Sequence, residues 1–236
     1  AVVNNLQDFE VETVYKKGKL VYGNGQVADF AEPEIEPYLQ KRAADTFHVA
    51  HLTEADFADE RLRGVLGLVP GQIVTTDNGY ASKIEAEKGI LKIAVIERHK
   101  NTHHIGIGYV QGYGLQKGAV ATSVAHDSHN IIAVGENEAD MAEAANRVAA
   151  LHGGIVVVNG GVVTAEVQLE IAGLMSNAPL VAVNDALEQA KEAAFALGVS
   201  RKIDPFMTLS FLSLPVIPAL RLTTRGVLDV IKQQYI

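Results

Sequence analysis

The densest group of chemically active side chains is a pentapeptide, residues 126–130, with the sequence HDSHN. It holds two imidazoles, a carboxylate, a hydroxyl and an amide, so donors, acceptors and potential metal ligands lie close together. The apolar runs 119–125 and 131–134 flank it, and runs of this kind bounded by glycine are typical of buried strands. The sequence therefore predicts a tight connection between two strands that presents a candidate catalytic set: His126, Asp127, Ser128, His129 and Asn130.

A second polar group, Glu97, Arg98 and His99, ends the strand-like run that starts at residue 90, and His103 and His104 follow it. If this strand end approaches the pentapeptide, Glu97 could act as acid or base, Arg98 could hold an anion and the histidines could carry protons. Both groups also have a simpler interpretation. Asp and Asn in a turn commonly satisfy their own backbone, and charged residues often only solvate the end of a strand.

The sequence gives no complete metal site or phosphate loop. His126 and His129 are three residues apart, as are His48 and His51, but neither pair has the H-E-x-x-H pattern that binds zinc on a helix. The glycines between residues 106 and 118 match neither of the common phosphate-binding patterns. The chain has no cysteine, which excludes disulfides, thiolate catalysis and Cys-ligated zinc. We therefore assign no metal ligand and no cofactor-binding residue in this chain.

Composition bounds the class of protein. A formal charge of −8 without clustered Lys and Arg argues against a nucleic-acid partner. No apolar run approaches the roughly 20 residues needed to span a bilayer, and no signal peptide is visible, so we expect a soluble, cytoplasmic protein without a membrane partner. The chain starts without Met, on an apolar Ala1-Val2-Val3 that looks like the middle of a strand. This start suggests a piece of a longer protein.

Patterning predicts an α+β fold: a mixed, mainly antiparallel sheet with packed helices, preceded by a small β-strand segment that belongs to a flanking β-domain. We expect residues 1–48 to form a β-hairpin segment and a linker with acidic residues such as Glu32, and residues 49–236 to form the main domain. Helices are predicted from a Thr53 cap to about Leu62, after an Asn137 cap, and from Asn184 or Asp185 to Gly198. Strands are expected at 10–15, 19–22, 65–69, 72–76, 90–97, 105–110, 119–125, 131–134, 155–158, 162–167, 220–223 and 227–231.

Four segments together resemble the C-terminal region of bacterial adenine deaminases of the amidohydrolase superfamily. They are KIAVIERH at 92–99, GLQKGAVATSVAHDSHNIIAVG at 114–135, IAGLMS at 171–176 and PFMTLSFLSLPVIPALRLT at 205–223. The opening segment DFEVETVYKKGKLVYGNG at 8–25 is similar to the strands by which that family returns from its catalytic barrel to a flanking β-domain. The likeness covers nearly the whole chain.

The resemblance implies hydrolysis of adenine to hypoxanthine and ammonia by a water bound to a divalent metal, manganese or iron, in a (β/α)8 barrel. The barrel motifs, an H-x-H pair with further histidines, a metal-bridging Glu and a catalytic Asp, cannot be located in this sequence. The resemblance therefore implies a portion that lies after the barrel, is inactive alone, and completes or supports the active site. Adenine, the barrel of the same protein and further copies of the chain in a homo-oligomer are the expected partners. The alternative is a non-catalytic module for structure, oligomerisation or ligand binding.

Overall fold

The computed structural model describes residues 1–29, 31 and 33–236, so the predicted linker residue Glu32 lies outside the described residues. The chain divides into two compact units, Ala1–Pro37 and Tyr38–Ile236. Residues 43–48 belong to the second unit, in which the Ala172 N–H donates to the Ala43 carbonyl at 2.7 Å and the His48 N–H donates to the Arg98 carbonyl at 2.7 Å. The domain boundary at residue 48 stays a prediction. No helix in the described part of the chain is long and apolar enough to cross a membrane.

The first unit is a small antiparallel sheet of four strands: β1 (Val2–Val3), β2 (Val11–Lys16), β3 (Lys19–Gly23) and β4 (Gln26–Val27). Lys17 and Gly18 form the turn between β2 and β3 with φ of 50° and 75°, as the Lys-Lys-Gly sequence predicts. None of the described residues in this unit is buried. The hairpin therefore has strand partners on both sides but encloses no core of its own.

The second unit is built on an eight-stranded sheet. Its strands are β5 (Arg63–Leu68), β6 (Thr75–Ala81), β7 (Ile90–Ile96), β8 (Ile105–Gln111), β9 (Ala119–Thr122), β10 (Ile131–Gly135), β11 (Gly154–Asn159) and β12 (Val162–Gln168). The spatial order is β12-β11-β9-β10-β7-β8-β5-β6. Every described pair is antiparallel except β5 with β8. The predicted mixed, mainly antiparallel α+β fold is confirmed.

In the described part of the chain, four α-helices accompany the sheets: α1 (Pro37–Ala44), α2 (Glu138–Ala150), α3 (Leu180–Ala196) and α4 (Pro205–Leu212). A third sheet closes the chain, with strands β13 (Leu220–Thr223), β14 (Gly226–Asp229) and β15 (Gln234–Tyr235). Alternate residues of the central strands point to opposite faces of the eight-stranded sheet. One face, with Ala94 and Ile96, packs on α2, while the other, with Ile93 and Val95, packs on α3, α4 and the third sheet. The central strands are therefore continuously apolar because both faces are covered.

Several predicted elements are correct in place and others are wrong in extent. The Asn137 cap of α2 is confirmed, because its side chain accepts a hydrogen bond from the Asp140 N–H. Helix α3 begins at Leu180, four residues before the predicted Asn184. The first turn of α3 was missed because Leu180 and Val181 are 84% and 70% exposed and lie outside the apolar stripe.

Three other expectations need correction. The Thr53 capping box is present, but it begins a short 3-10 helix, Glu54–Phe57, that ends well before Leu62. The strand expected at 72–76 is Thr75–Ala81, and Gly79 continues it with a φ of 82° instead of breaking it. Helix α4 was not predicted, since its sequence PFMTLSFL is apolar all around and shows no amphipathic period.

Candidate functional site

Three loops that carry histidines lie at the same edge of the eight-stranded sheet. Ile96 at the end of β7 pairs with both Ile105 and Ile131, and Thr122 at the end of β9 pairs with both Ile132 and Ile155. We call the loops 97–104, 123–130 and 151–153 the histidine edge. Six of the eight histidines in the chain lie in these three loops: His99, His103, His104, His126, His129 and His152.

The pentapeptide lies in the connection between β9 and β10, as predicted, but this connection spans residues 123–130 and is longer than expected, because the predicted strand 119–125 ends early. Strand β9 ends at Thr122, and the turn is closed by the His129 N–H, which donates to the Ala125 carbonyl at 2.8 Å. Asp127 and His129 have φ of 63° and 45°, in the left-handed region that L-residues rarely occupy. Strained backbone of this kind is concentrated at functional sites, where surrounding contacts must hold it.

The expected approach of the β7 end to the pentapeptide is present. His99 Nε2 lies 2.8 Å from the Ser128 carbonyl oxygen, so this nitrogen must donate the hydrogen bond. Arg98 Nε donates to the His129 carbonyl at 2.5 Å. Both predicted groups therefore belong to one site.

Arg98 connects three chain segments. Its side chain donates to the carbonyls of Thr46 at 2.7 Å and Ala172 at 3.0 Å, in addition to His129, and its guanidinium carbon lies 4.1 Å from the centre of the Phe47 ring. Only 1% of Arg98 is exposed, and burial lowers its pKa to about 10, so it stays protonated at neutral pH. Because all three side-chain nitrogens donate to backbone carbonyls, the geometry favours a positioning role over the predicted anion clamp.

Glu97 caps the loop that follows β7. Its carboxylate accepts hydrogen bonds from the backbone N–H groups of His99 at 2.6 Å, Lys100 at 2.9 Å and Thr102 at 3.1 Å, and from the Thr102 hydroxyl at 2.8 Å. Burial raises the pKa of Glu97, but these hydrogen bonds outweigh it and the net pKa is lowered. Glu97 is therefore ionised at neutral pH, which favours the strand-end interpretation over a role as proton donor.

Four buried side-chain atoms around the pentapeptide have no hydrogen-bond partner among the described residues: His126 Nε2, His129 Nδ1, Asn130 Oδ1 and Ser210 Oγ. Buried polar groups in folded proteins are nearly always paired, so each of these atoms needs an explanation. Helix α4 presses on this side of the turn, since the Phe211 and His126 ring centres are 4.3 Å apart and the His126 N–H donates to the Ser210 carbonyl. The turn and helix α4 therefore enclose a group of desolvated polar atoms that have unused hydrogen-bonding capacity among the described residues.

The surroundings of His129 lower the pKa of its imidazole. Burial lowers its pKa first, and the positive charge of Arg98 lowers it further, so the imidazole is neutral at pH 7. A neutral imidazole offers one nitrogen as donor and the other as acceptor, which suits recognition of a heterocycle or transfer of a proton.

This tuning predicts a specific pH dependence. In an NMR titration we expect the His129 ring to protonate below the ordinary value of about 6.5. The unfolded chain binds this proton near pH 6.5 whereas the folded chain does not, so stability falls as pH drops below 6.5 towards the folded pKa. His129→Gln should flatten that part of the stability curve. A His129 midpoint above 6.5 would contradict the assignment.

The site does not fit a metal ion. Within residues 1–29, 31 and 33–236, no group of three or more His, Asp or Glu side chains could hold one. His126 and His129 lie in a turn and its end, and His48 and His51 lie in an irregular segment, so neither pair shares a helix face. We derive no chemical step through a metal held by these residues.

Sequence reasoning missed several residues that complete the site. Thr46 and Ala172 act through their backbone carbonyls and Phe47 through its ring, so their side-chain types gave no signal of these contacts. Ser210 and Phe211 were missed together with helix α4. The apolar segment 205–212 inside a longer matching segment was the signal that could have led to them.

Comparison with known proteins identifies relatives of this chain. Residues 72–234 match the model of the family described as "Adenine deaminase C-terminal domain". The chain is 41% identical over 97% of its length to an adenine deaminase of Nitratidesulfovibrio vulgaris strain DP4 and spans 41% of that relative. It is also 41% identical over 97% of its length to adenine deaminase 1 of Rhizobium meliloti, again covering 41% of the relative.

A third relative, adenine deaminase 1 of Rhizobium johnstonii, is 50% identical over 71% of this chain, and the match covers 31% of that relative. The chain thus spans about two fifths of the length of the first relatives, and the domain match includes the pentapeptide, the end of β7 and α4. The chain belongs to the adenine deaminase C-terminal domain family.

Proposed function

We propose that this chain is the C-terminal portion of an enzyme that hydrolyses adenine to hypoxanthine and ammonia. One observation carries the proposal: identity of 41% with a curated adenine deaminase extends over 97% of the chain, including both groups of the candidate site. Such continuous similarity makes a shared role in the same kind of enzyme the simplest explanation.

In the proposed enzyme, one part of the protein holds the metal and another part supports the active site. We assign the divalent metal, manganese or iron, to an amidohydrolase barrel in the same protein, because the described residues of this chain offer no set of metal ligands. This chain alone is then inactive and supports the active site through the histidine edge. The barrel is its proposed partner within the protein.

We propose that the purine contacts the side chains of three residues at the histidine edge: His126, His129 and Asn130. Adenine carries ring nitrogens that accept hydrogen bonds and an amino group that donates them. The unpartnered atoms His126 Nε2, His129 Nδ1 and Asn130 Oδ1 supply complementary donors and acceptors. These atoms are covered in the structure, so contact with the purine requires the turn or helix α4 to shift.

The other predicted residues have supporting roles in this proposal. Asp127 and Ser128 are exposed at the tip of the turn, where they can meet the barrel, and His99 holds the Ser128 carbonyl. Arg98 and Glu97 hold the turn and the neighbouring loop in place. In this proposal Glu97, Arg98 and His99 position the pentapeptide, and the pentapeptide contacts the purine and the barrel.

The test is a deamination assay with adenine that measures the release of ammonia and the formation of hypoxanthine. A protein that extends this chain to the length of its relatives should turn adenine over, whereas the 236-residue chain alone, freed of contaminating enzyme, should not. Ammonia release by the chain alone would refute the division of labour. Absence of turnover by the metal-loaded longer protein would refute the proposed activity.

We also propose that the protein is a cytoplasmic homo-oligomer. The lack of cysteine is compatible with a reducing compartment. Leu180 and Val181 at the start of α3 are 84% and 70% exposed, and Met175 just before the helix is 60% exposed, which gives an apolar surface that a subunit contact would cover. Light scattering after gel filtration should give a multiple of the chain mass, and Leu180→Glu should reduce it to one copy. A wild-type protein that elutes as one copy would contradict this part of the proposal.

A further inference from the structure

A cleft of about 350 Å³ lies between residues 68–74, which connect β5 to β6, and residues 201–212, which include helix α4. This volume is at the lower end of the range of small-molecule sites. The cleft is distinct from the pentapeptide but adjoins it, because Phe211 lines the cleft and its ring centre is 4.3 Å from that of His126. The proposed deamination leaves this cleft without a role.

The walls of the cleft suit a flat apolar ring. Ile73, Val74 and Met207 line it and remain 49%, 38% and 47% exposed. Phe211 adds an aromatic surface beside them, and Thr208 adds a hydroxyl. A few polar groups among apolar and aromatic walls are typical of sites that bind small heterocycles.

The rim of the cleft carries a cation without a partner. Lys202 lines the cleft, is exposed, and makes no ion pair with any side chain in the described part of the chain. The other charges there are compensated. Arg201 pairs with Glu192 through two hydrogen bonds of 3.1 and 2.8 Å, and Asp204 caps α4 and lies 3.7 Å from Lys191.

A second, buried cation stands behind the wall. Arg221 is fully buried and donates only to neutral groups: the Thr75 hydroxyl at 2.8 Å and the carbonyls of Leu220 at 2.8 Å, Ile73 at 2.6 Å and Pro218 at 3.3 Å. Among the described residues, its Nε has no hydrogen-bond partner and no carboxylate forms an ion pair with it. Ile73, which accepts from Arg221, also lines the cleft. This side of a chain with a formal charge of −8 therefore carries uncompensated positive charge.

We infer that the cleft binds a small anion that carries a planar ring, of the chemical class of the nucleoside monophosphates. The ring lies against Met207 and Phe211, and the phosphate faces Lys202, with the field of Arg221 favouring the negative charge. Because Phe211 also contacts His126, the bound ligand changes the surroundings of the pentapeptide. This inference goes beyond the proposed adenine deamination and does not require it.

Calorimetric titration of the whole 236-residue chain with AMP tests the inference. We expect a dissociation constant on the order of 0.1 mM, with adenosine binding at least about tenfold more weakly because it lacks the phosphate. Lys202→Ala should weaken AMP binding about tenfold. Lys83→Ala is the matched control, since Lys83 is exposed, lies outside the histidine edge and does not line the cleft; it should leave the affinity unchanged.

NMR adds a second readout. AMP should shift the His126 ring signals in the wild-type chain, and Phe211→Leu should remove the shift. Equal affinity for AMP and adenosine, equal effects of the two lysine substitutions, or no heat of binding at millimolar AMP would each overturn the inference. None of these results depends on whether the longer protein deaminates adenine, so failure here and failure of the proposed function are distinguishable.

Discussion

Arg98→Met should lower the free energy of unfolding of the Tyr38–Ile236 unit by about 3 kcal/mol or more. The substitution keeps an apolar side chain over Phe47 but removes the donors to the carbonyls of Thr46, His129 and Ala172. Each buried carbonyl left without a partner costs roughly 1–3 kcal/mol, and the strained turn at His129 loses its anchor. Urea denaturation followed by circular dichroism measures the change.

Arg201→Met is the matched control. Arg201 also lies over an aromatic ring, 4.5 Å from the centre of Phe195, and also makes two side-chain hydrogen bonds, but its side chain is 67% exposed. An exposed ion pair contributes little, so this variant should lose less than about 1 kcal/mol. Equal losses in the two variants would show that Arg98 does not hold the site together.

Gly173→Ala should cost about 2–3 kcal/mol. Gly173 has a φ of 74°, and an added Cβ would lie 2.9 Å from Phe47 Cε2 and 3.0 Å from Arg98 Nη2. Two effects therefore add: the strain of a left-handed alanine, and displacement of the guanidinium that organises the site. Thermal and urea denaturation give the cost, and the NMR signals of His129 report displacement of the turn.

Gly160→Ala separates the two effects. Gly160 has a φ of 61° but an added Cβ would meet no atom within 4 Å, so this control measures strain alone, about 1 kcal/mol. In the double variant with Arg98→Met, Gly173→Ala should cost less than in the wild type, because the crowded guanidinium is gone. If Gly173→Ala and Gly160→Ala lower the free energy of unfolding equally, the close approach of Gly173 to Arg98 does not contribute to stability.

The fold was predictable where local patterns decide it. Residues 90–96 and 131–135 are continuously apolar because helices cover both faces of the sheet, and Asn137 and Gly160-Gly161 mark a helix start and a turn by local backbone chemistry. Helix α4 was not predictable in this way. Its apolar residues are spread around the helix, from buried Leu209 in the core to exposed Met207 in the cleft, so no period distinguishes it from a strand.

The residues of the candidate site were predictable from the sequence, but the role of each residue was not. The density of polar residues between apolar runs identified the pentapeptide and the end of β7 as candidates. The pairing of β7 with β10 places the two groups next to each other. The interaction partners of Arg98 could not be read from the sequence, since they are carbonyls of Thr46 and Ala172, 52 and 74 positions away. Such contacts depend on tertiary structure and leave no signature in side-chain type.

We propose that the histidine edge takes part in adenine deamination and does more than stabilise the fold. The most direct measurement is kcat/KM for adenine of His129→Gln in the protein extended to the length of its relatives, beside the control His51→Gln, which changes an exposed histidine outside the three loops. We expect His129→Gln to lower kcat/KM by about 100-fold, with metal content and the free energy of unfolding at pH 8 unchanged, and His51→Gln to keep wild-type kinetics. Wild-type kcat/KM in His129→Gln would contradict the claim and leave the pentapeptide a structural turn.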